Sequence, residues 1–573
     1  MIREWFEGKK QKNTKKNEQS NFKKTLNTIR KYHTPLNVIE IEIKILPSQH
    51  YKMMRIGEHL RIIRNTVVGV LFKNYKQMVR TKKYRALMKQ YRLVTEKMSK
   101  QNADIKLLDN ELDSLKEKLE ELREKYNVTF DFARNFGAEM RERKFSLPDA
   151  VTVLSVCEMA WKSIEKILFS DGENPYFYKR NDFVTFQGKQ AERCIILKKN
   201  KKNSELFVSH NGMNFSLIIK KTDLFIQESL SRFVHYMENS VEIDKENVER
   251  HLSGKSILPT YRIRNNRIVR KEIRGKIRYF LQIVSEGNPV VKRKKDGSFR
   301  HTFGTGRIGG DIGTQSIAIF SIGKVLLKNL AERSNSSFKL EREITNIQRY
   351  IDRSRRTMNP KNYNADGTIK KGKKTWGFSN RYLNAQRKLR NLQRKAAESR
   401  KYAHNEDINY FRTLGDELII ESMNIRALQK KAKVATKSDK TGKWNKRKRF
   451  GKSILNRSPG YFIEQVKYRF RLTGGTVKEV NTWTFKASQY DHVLDTENKK
   501  QLSKRWHTLP CGTKIQRDLY SAFLLYCSEK DLQKPNNEMC HNTFEKFYQF
   551  HELCIKEIKN NRMVVLNSGI KIS

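Results

Sequence analysis

The sequence predicts a multidomain chain of mixed α/β and α+β class: a β-barrel interrupted by a long helical insertion, followed by an α/β domain. Three observations carry this expectation. Strand-like alternation occurs in two blocks, residues 37–46 and 174–284, on either side of a long stretch with helical periodicity. From Arg307 onward, short apolar strands alternate with amphipathic helices, as in an α/β unit. The length of 573 residues suits roughly three or four domains.

Composition narrows the function. The chain carries 118 Lys and Arg against 61 Asp and Glu, a formal charge of +57. Such a surplus repels itself in a compact fold unless a polyanion accompanies it, which excludes an ordinary metabolic enzyme and points to nucleic acid. Aromatic residues make up 10% of the chain, too many for a disordered protein, so folded domains with charged surfaces are expected. The cysteines, Cys157, Cys194, Cys511, Cys527, Cys540 and Cys554, include no CxxC pair. Neither a disulfide framework nor a standard zinc module is written here, and a reducing compartment fits. With no apolar run near the roughly 18 residues of a membrane span, a soluble intracellular protein without a membrane partner is expected.

Along the chain, residues 1–34 read as a basic disordered tail. Asn37 to Leu46 (NVIEIEIKIL) alternates apolar and charged residues as a half-buried strand does, and stops at Pro47. Tyr51 to Leu168 reads as helix. Within it Ile105, Leu108, Leu112, Leu115, Leu119, Leu122 and Tyr126 recur three and four apart, a heptad seam for a helical hairpin within the chain or for a dimer. Between Asn174 and Val284, FVTFQ, RCIILKK, LFVSH, NFSLIIKK and GKIRYFLQIV read as strands of a small antiparallel barrel, which the first strand joins. IGGDIGTQSIAIFSIGKVLL then gives strand, turn and strand. A basic helical pair, the strand ELIIES, the polar loop KKAKVATKSDKTGKWNKRKRFGK, the helix SPGYFIEQVKYRFRL, the strand GTVKEVNTWTF and a helix around QRDLYSAFLLYC complete the order.

Three acidic residues lie in apolar elements, where a carboxylate is expensive. Asp311 follows Ile308-Gly309-Gly310, a strand whose glycines admit another backbone or a ligand. Glu421 ends the run Leu418-Ile419-Ile420, and Asp518 starts the helix LYSAFLLY beside Arg517. Singly, each has an ordinary explanation: a turn former, a surface charge at a strand end, a helix N-cap. Together they suggest cations, because two Mg²⁺ ions roughly 4 Å apart, held by carboxylates, can activate water and stabilise the leaving oxygen in phosphodiester hydrolysis.

The segments GGDIGTQSIAIFS, LIIESMNIRAL and CGTKIQRDLYSAF resemble, in that order, the three split motifs of the RuvC nuclease fold, an RNase H-like domain. The arrangement is similar to TnpB, the transposon-encoded RNA-guided nuclease, and to the miniature type V CRISPR effectors. LEREITNIQRYIDRSRR, FGKSILNRSPGYFIEQVKYRFRLTGGTVKEV and NPYFYKRNDFVTF extend the resemblance over most of residues 37–526. It implies a wedge β-barrel domain (35–50 and 172–300) with an inserted helical recognition domain (51–171), and a RuvC domain (301–485 and 514–527). It also implies a degenerate zinc-finger-like, target-nucleic-acid-binding insertion at 486–513 and a C-terminal extension at 528–573.

By the same resemblance, Asp311, Glu421 and Asp518 are catalytic and hold two Mg²⁺ ions, for which Mn²⁺ could substitute. The partners are a guide RNA and a target DNA, contacted by Arg349, Arg353, Arg355, Arg356, Lys446, Arg447, Lys448 and Arg449. The protein would act as a monomer or as a homodimer on one RNA, in a prokaryotic cytoplasm and on the nucleoid when DNA-bound. One departure is plain: where the family carries two CxxC pairs, only Cys511 remains, and with His492 and His507 it offers three ligands where tetrahedral zinc wants four, which speaks against structural zinc. Two other readings stay open: an RNA-guided protein that silences DNA without cutting it, and a guide-independent RuvC-like resolvase or transposase.

Overall fold

The computed structural model describes residues 20–30, 36–98, 105–170, 172–202, 204–258, 260–287, 290–294, 296–332, 336–430, 436, 450–498, 501 and 504–572. The chain forms two compact units, Met1–Val290 and Val291–Ser573, of mixed α/β architecture. Among the described residues no helix is long and apolar enough to cross a membrane.

The first unit opens with helix α1, residues 20–30. This corrects the expectation of a disordered tail for that stretch. Phe22, Leu26 and Ile29 share one face and pack on Val248 and Ile257, and Arg30 Nη2 meets Asp244 Oδ2 at 2.7 Å. So short a stripe is masked by the lysines and asparagines around it. Residues 1–19 and 31–34 lie outside the described residues.

Strand β1 (Leu36–Ile43) is followed by α2 (Pro47–Val79), α3 (Lys82–Met98), α4 (Ile105–Lys125), α5 (Phe130–Lys144) and α6 (Ala150–Phe169). Pro47 sits in the first turn of α2, where its missing N–H costs nothing. The heptad seam of α4 is filled from within the chain: Leu115, Leu119 and Leu122 are buried where α4 packs on α3, along with Leu87 and Val94 of that helix.

Strands β2 (Thr185–Gln187), β3 (Ile195–Lys199), β4 (Leu206–His210), β5 (Met213–Ile218), β6 (Ile263–Ile273) and β7 (Lys276–Glu286) join β1 in an antiparallel sheet of order β2-β6-β7-β1-β5-β4-β3. The first strand thus pairs with β5 and β7 across the helical insertion. The sheet curls until β3 returns beside β6, where Asn266 Nδ2 donates to the Ile195 carbonyl at 3.1 Å. Ile39, Ile41, Ile43, Tyr279, Leu281 and Ile283 fill its inner face. The outer face carries polar and charged pairs, with Gln282 Nε2 donating to Glu40 at 2.8 Å and Arg278 Nη1 to Glu42 at 3.2 Å.

Strand character does not run unbroken to Val284, because helix α7 (Leu224–Leu252) lies between β5 and β6. Its apolar positions are spaced for a helix, with Leu230, Phe233 and Tyr236 buried, while strand β6 reads IRNNRIVRKEI and is too polar to stand out.

The second unit is built on β8 (Arg307–Ile312), β9 (Ser316–Ser321), β10 (Lys324–Asn329), β11 (Glu417–Glu421) and β12 (Thr476–Val480), in the order β10-β9-β8-β11-β12. β8, β9 and β10 form an antiparallel meander, whereas β11 runs parallel to both β8 and β12. Between β10 and β11 come α8 (Ser336–Met358) and α9 (Asn380–Leu414); α10 (Ile425–Leu428), α11 (Gly451–Arg457) and α12 (Pro459–Leu472) precede β12. NTWTF, expected as strand, is instead the short helix α13 (Thr482–Phe485), because the Asn481 side chain caps it by accepting the Trp483 N–H. Small hairpins β13 (Tyr490–Asp491) with β14 (Thr496–Glu497), and β15 (Trp506–Thr508) with β16 (Lys514–Gln516), lead into α14 (Arg517–Tyr526) and α15 (Asn537–Asn560).

Alternation along the strands splits the core into two layers. Ile308, Ile319, Leu418 and Ile420 face α9 and α12 with Phe411, Phe462 and Phe470. Ala318, Phe320 and Ile419 face α14 and α15 with Phe523 and Phe547. Helix α15, in the segment after residue 527, is therefore part of the second unit's core, with Phe547 packed against the rings of Phe320 and Phe523.

Candidate metal centre

Strand periodicity places two of the three carboxylates on one face. Asp311 is two residues beyond Gly309 on β8, and Glu421 is two beyond Ile419 on β11, so both point toward the layer of α14. Ile420 pairs with Gly310, which sets Glu421 level with Asp311 on the neighbouring strand.

Gly309 fixes the third. A side chain there would overlap the Ala522 carbonyl and the Tyr526 amide of α14, so only glycine lets this helix lie against the strand. Asp518 lies one helical turn before Ala522, about 6 Å along the helix, while Asp311 lies about 6.6 Å beyond Gly309 along the strand. Both advance toward the same edge. The Gln516 side chain caps α14 by accepting the Leu519 N–H at 2.8 Å, and the Gln516 N–H donates to His551 Nε2 at 3.0 Å.

This edge is the carboxyl end of the parallel pair β8 and β11, from which the chain leaves in opposite directions along the sheet. Ligands of open α/β sheets gather at such a switch point. Burial pushes the Asp311 carboxyl well above the ordinary carboxylate range; the charges of Asp518 and Glu421 push the same way, and the guanidinium groups of Arg517 and Arg505 oppose them. Burial likewise raises Glu421. Arg517 Nη2 approaches Asp518 Oδ1 to 3.4 Å and Arg505 Nη1 to 3.9 Å.

Three oxygen donors suit a hard divalent cation such as Mg²⁺, and the mutual repulsion felt at Asp311 is what such a cation would relieve. The three do not converge on one point: among the described residues, the one group of three or more Asp, Glu, His or Cys with all ligand atoms within 4.8 Å of one another is Asp149, Cys194 and His210. The wider spacing fits more than one ion, or carboxylates that close in on binding.

Arg505 is the neighbour that sequence reasoning missed. The hairpin of β15 and β16 pairs Trp506 with Gln516 and brings Arg505 beside Arg517, whose N–H donates to the Arg505 carbonyl at 2.9 Å. The turn LPCGT between two short alternating runs was the available signal.

The basic residues of α8 divide. Arg349 and Arg353 are exposed. Arg355 and Arg356 both bind Asp352, at 2.9 and 3.0 Å, and lie over the rings of Trp376 and Tyr363. Lys446, Arg447, Lys448 and Arg449 lie outside the described residues. Cys511 is exposed and bonded to Thr513, while His507 Nε2 contacts Asp491 at 3.0 Å and His492 Nδ1 contacts the Tyr520 hydroxyl at 2.6 Å. Each of these polar contacts is to a different residue, and His507 also stacks on the Tyr520 ring.

No protein-family model matches the chain, and no curated protein does. Among solved structures, 28 chains match. One is a Cas12f1–sgRNA–target DNA complex, at 9% identity and a TM-score of 0.41, covering 85% of this chain and 98% of the other. Another is a Cas12i1 R-loop complex after target DNA cleavage, at 9% identity and a TM-score of 0.24, covering 87% of this chain and 64% of the other.

Proposed function

We propose that the chain is an RNA-guided DNA endonuclease of the TnpB and miniature type V CRISPR effector kind, with a RuvC site that hydrolyses phosphodiester bonds. The observation that carries the reading is the meeting of Asp311, Glu421 and Asp518 on one face at the sheet's switch point, from three segments that resemble the three RuvC motifs. A mixed sheet flanked by helices on both faces agrees with an RNase H-like domain. On this reading the curled antiparallel sheet and its helical insertion would be the wedge and recognition domains.

Divalent ions bound there would polarise the scissile phosphate and lower the pKa of an attacking water. Asp311 and Glu421 would hold them from the rigid pair β8 and β11, and Asp518 from the first turn of α14. Arg505 and Arg517 neutralise Asp518 before a cation arrives and then stand ready for phosphate oxygens. The partners of this reading are a guide RNA and a complementary DNA, with the surplus of +57 spread to bind both. It places the protein in a prokaryotic cytoplasm, on the nucleoid when DNA-bound.

One observation favours a non-cleaving RNA-guided binder as the second reading: Asp518 is held by two arginines, which must yield to a cation. The test is to purify the chain with its RNA, sequence that RNA, and assay matched DNA in Mg²⁺. Cleavage supports the nuclease; tight binding without cleavage supports the second reading; absence of a discrete RNA leaves the guide-free resolvase.

A further inference from the structure

Asp149 caps the N-terminus of α6, accepting the Thr152 N–H at 2.8 Å. Cys194 immediately precedes β3, and His210 is the last residue of β4. Three separate elements thus bring together a carboxylate, a thiol and an imidazole. Cys194 Sγ is 3.3 Å from Asp149 Oδ2 and 3.7 Å from His210 Nδ1, and that nitrogen is 3.9 Å from Asp149 Oδ2.

These separations match a coordination polyhedron. Zinc distances of about 2.3 Å to sulfur, about 2.0–2.1 Å to nitrogen and about 2.0–2.2 Å to oxygen give tetrahedral edges of roughly 3.3–3.6 Å. The observed edges lie within a few tenths of an ångström of that range. Thr152 Oγ1 donates to Asp149 Oδ2 at 2.6 Å and so fixes the carboxylate, the kind of outer support that metal ligands need. His210 is fully buried, and its Nδ1 edge is the one turned to the cluster.

We infer that Asp149, Cys194 and His210 form a zinc site that ties the N-terminus of α6, and with it the inserted helices, to the sheet of the first unit. A borderline-soft ion is required, because a thiolate and an imidazole select against Mg²⁺ and Ca²⁺. With three protein ligands and a water at the fourth corner the site is of the open kind; what separates it from Cys511, His492 and His507 is that its three ligand atoms lie within 4.8 Å of one another. Binding displaces the thiol proton. Affinity therefore tightens as pH rises. Without metal, the same groups would be held by hydrogen bonds alone, including His210 Nδ1 to the Cys194 carbonyl at 3.1 Å.

The test uses the full chain. After exposure to Zn²⁺ and dialysis into metal-free buffer, the wild type should retain about one zinc per chain more than Cys194→Ser, and zinc should raise its Tm but not that of the variant. Because Cys194→Ser could unfold, Co²⁺ is added to Cys511→Ser, which removes the exposed thiol and leaves the cluster intact. A cysteine-to-cobalt charge-transfer band supports the site. Absence of that band, or equal zinc in wild type and a folded Cys194→Ser, overturns it.

Discussion

The two candidate metal clusters, Asp311/Glu421/Asp518 in the second unit and Asp149/Cys194/His210 in the first, are opposites in construction. The first gathers only oxygen, at the exit of two parallel strands, with arginines alongside and without all three ligand atoms lying within 4.8 Å of one another. The second mixes sulfur, nitrogen and oxygen within that distance, at the seam between a helix cap and a sheet. Spacing and donor type separate their roles: an open oxygen set suits labile hard cations and phosphate, whereas a tight mixed set suits one retained borderline ion.

That contrast can be broken by substitution. Glu421→Gln should lower the rate of Mg²⁺-dependent cleavage at least about 10²-fold while leaving RNA and DNA binding intact, whereas Cys194→Ser should leave the cleavage rate of folded protein unchanged. Comparable rate losses in both would merge the two clusters' roles. Next in size, Gly309→Ala drives a methyl into the backbone of α14 and should cost about 1–3 kcal/mol in urea unfolding, with cleavage falling further than the folded fraction as Asp518 moves.

Titration acts with opposite sign at two places in the second unit. Burial lowers His404 and His492 to about 4, so the unfolded chain, near the ordinary 6.5, takes up protons first. Their stabilisation is complete above 6.5 and drains as pH falls toward 4, at about 1.4 kcal/mol per pH unit for each. Asp311 runs the other way: its raised pKa means the folded state holds the proton longer, so stability declines as pH rises above the ordinary carboxylate range. In metal-free buffer at pH 8, Asp311→Asn should therefore melt a few °C higher than wild type, and Mg²⁺ should close the gap. A variant that melts lower would remove the repulsion from the account. Smallest is the surface: Arg349→Ala with Arg353→Ala should weaken nucleic-acid binding and reduce its salt slope by about 1 for each phosphate no longer neutralised.

The sequence made the carboxylate cluster legible and the mixed one invisible, for a physical reason. Asp311, Glu421 and Asp518 each interrupt an apolar run, and that local contrast is written in adjacent residues. Asp149, Cys194 and His210 are far apart in the chain, each ordinary in its own surroundings, and only the return of β3 and β4 to the cap of α6 joins them. The same logic explains β6, whose partners rather than its composition make it a strand, and α1, whose short apolar stripe gains meaning from Val248. Arg505 belongs with these, because a hairpin and not a motif carries it to Asp518.

The central claim is that an RNA directs the triad to DNA, and one assay addresses it. DNA complementary to the co-purified RNA is incubated with wild type and with Asp311→Ala in Mg²⁺, and binding and cleavage are followed together. Both should bind and only the wild type should cut. Cleavage that persists in Asp311→Ala, or that ignores the RNA's sequence, would contradict that claim.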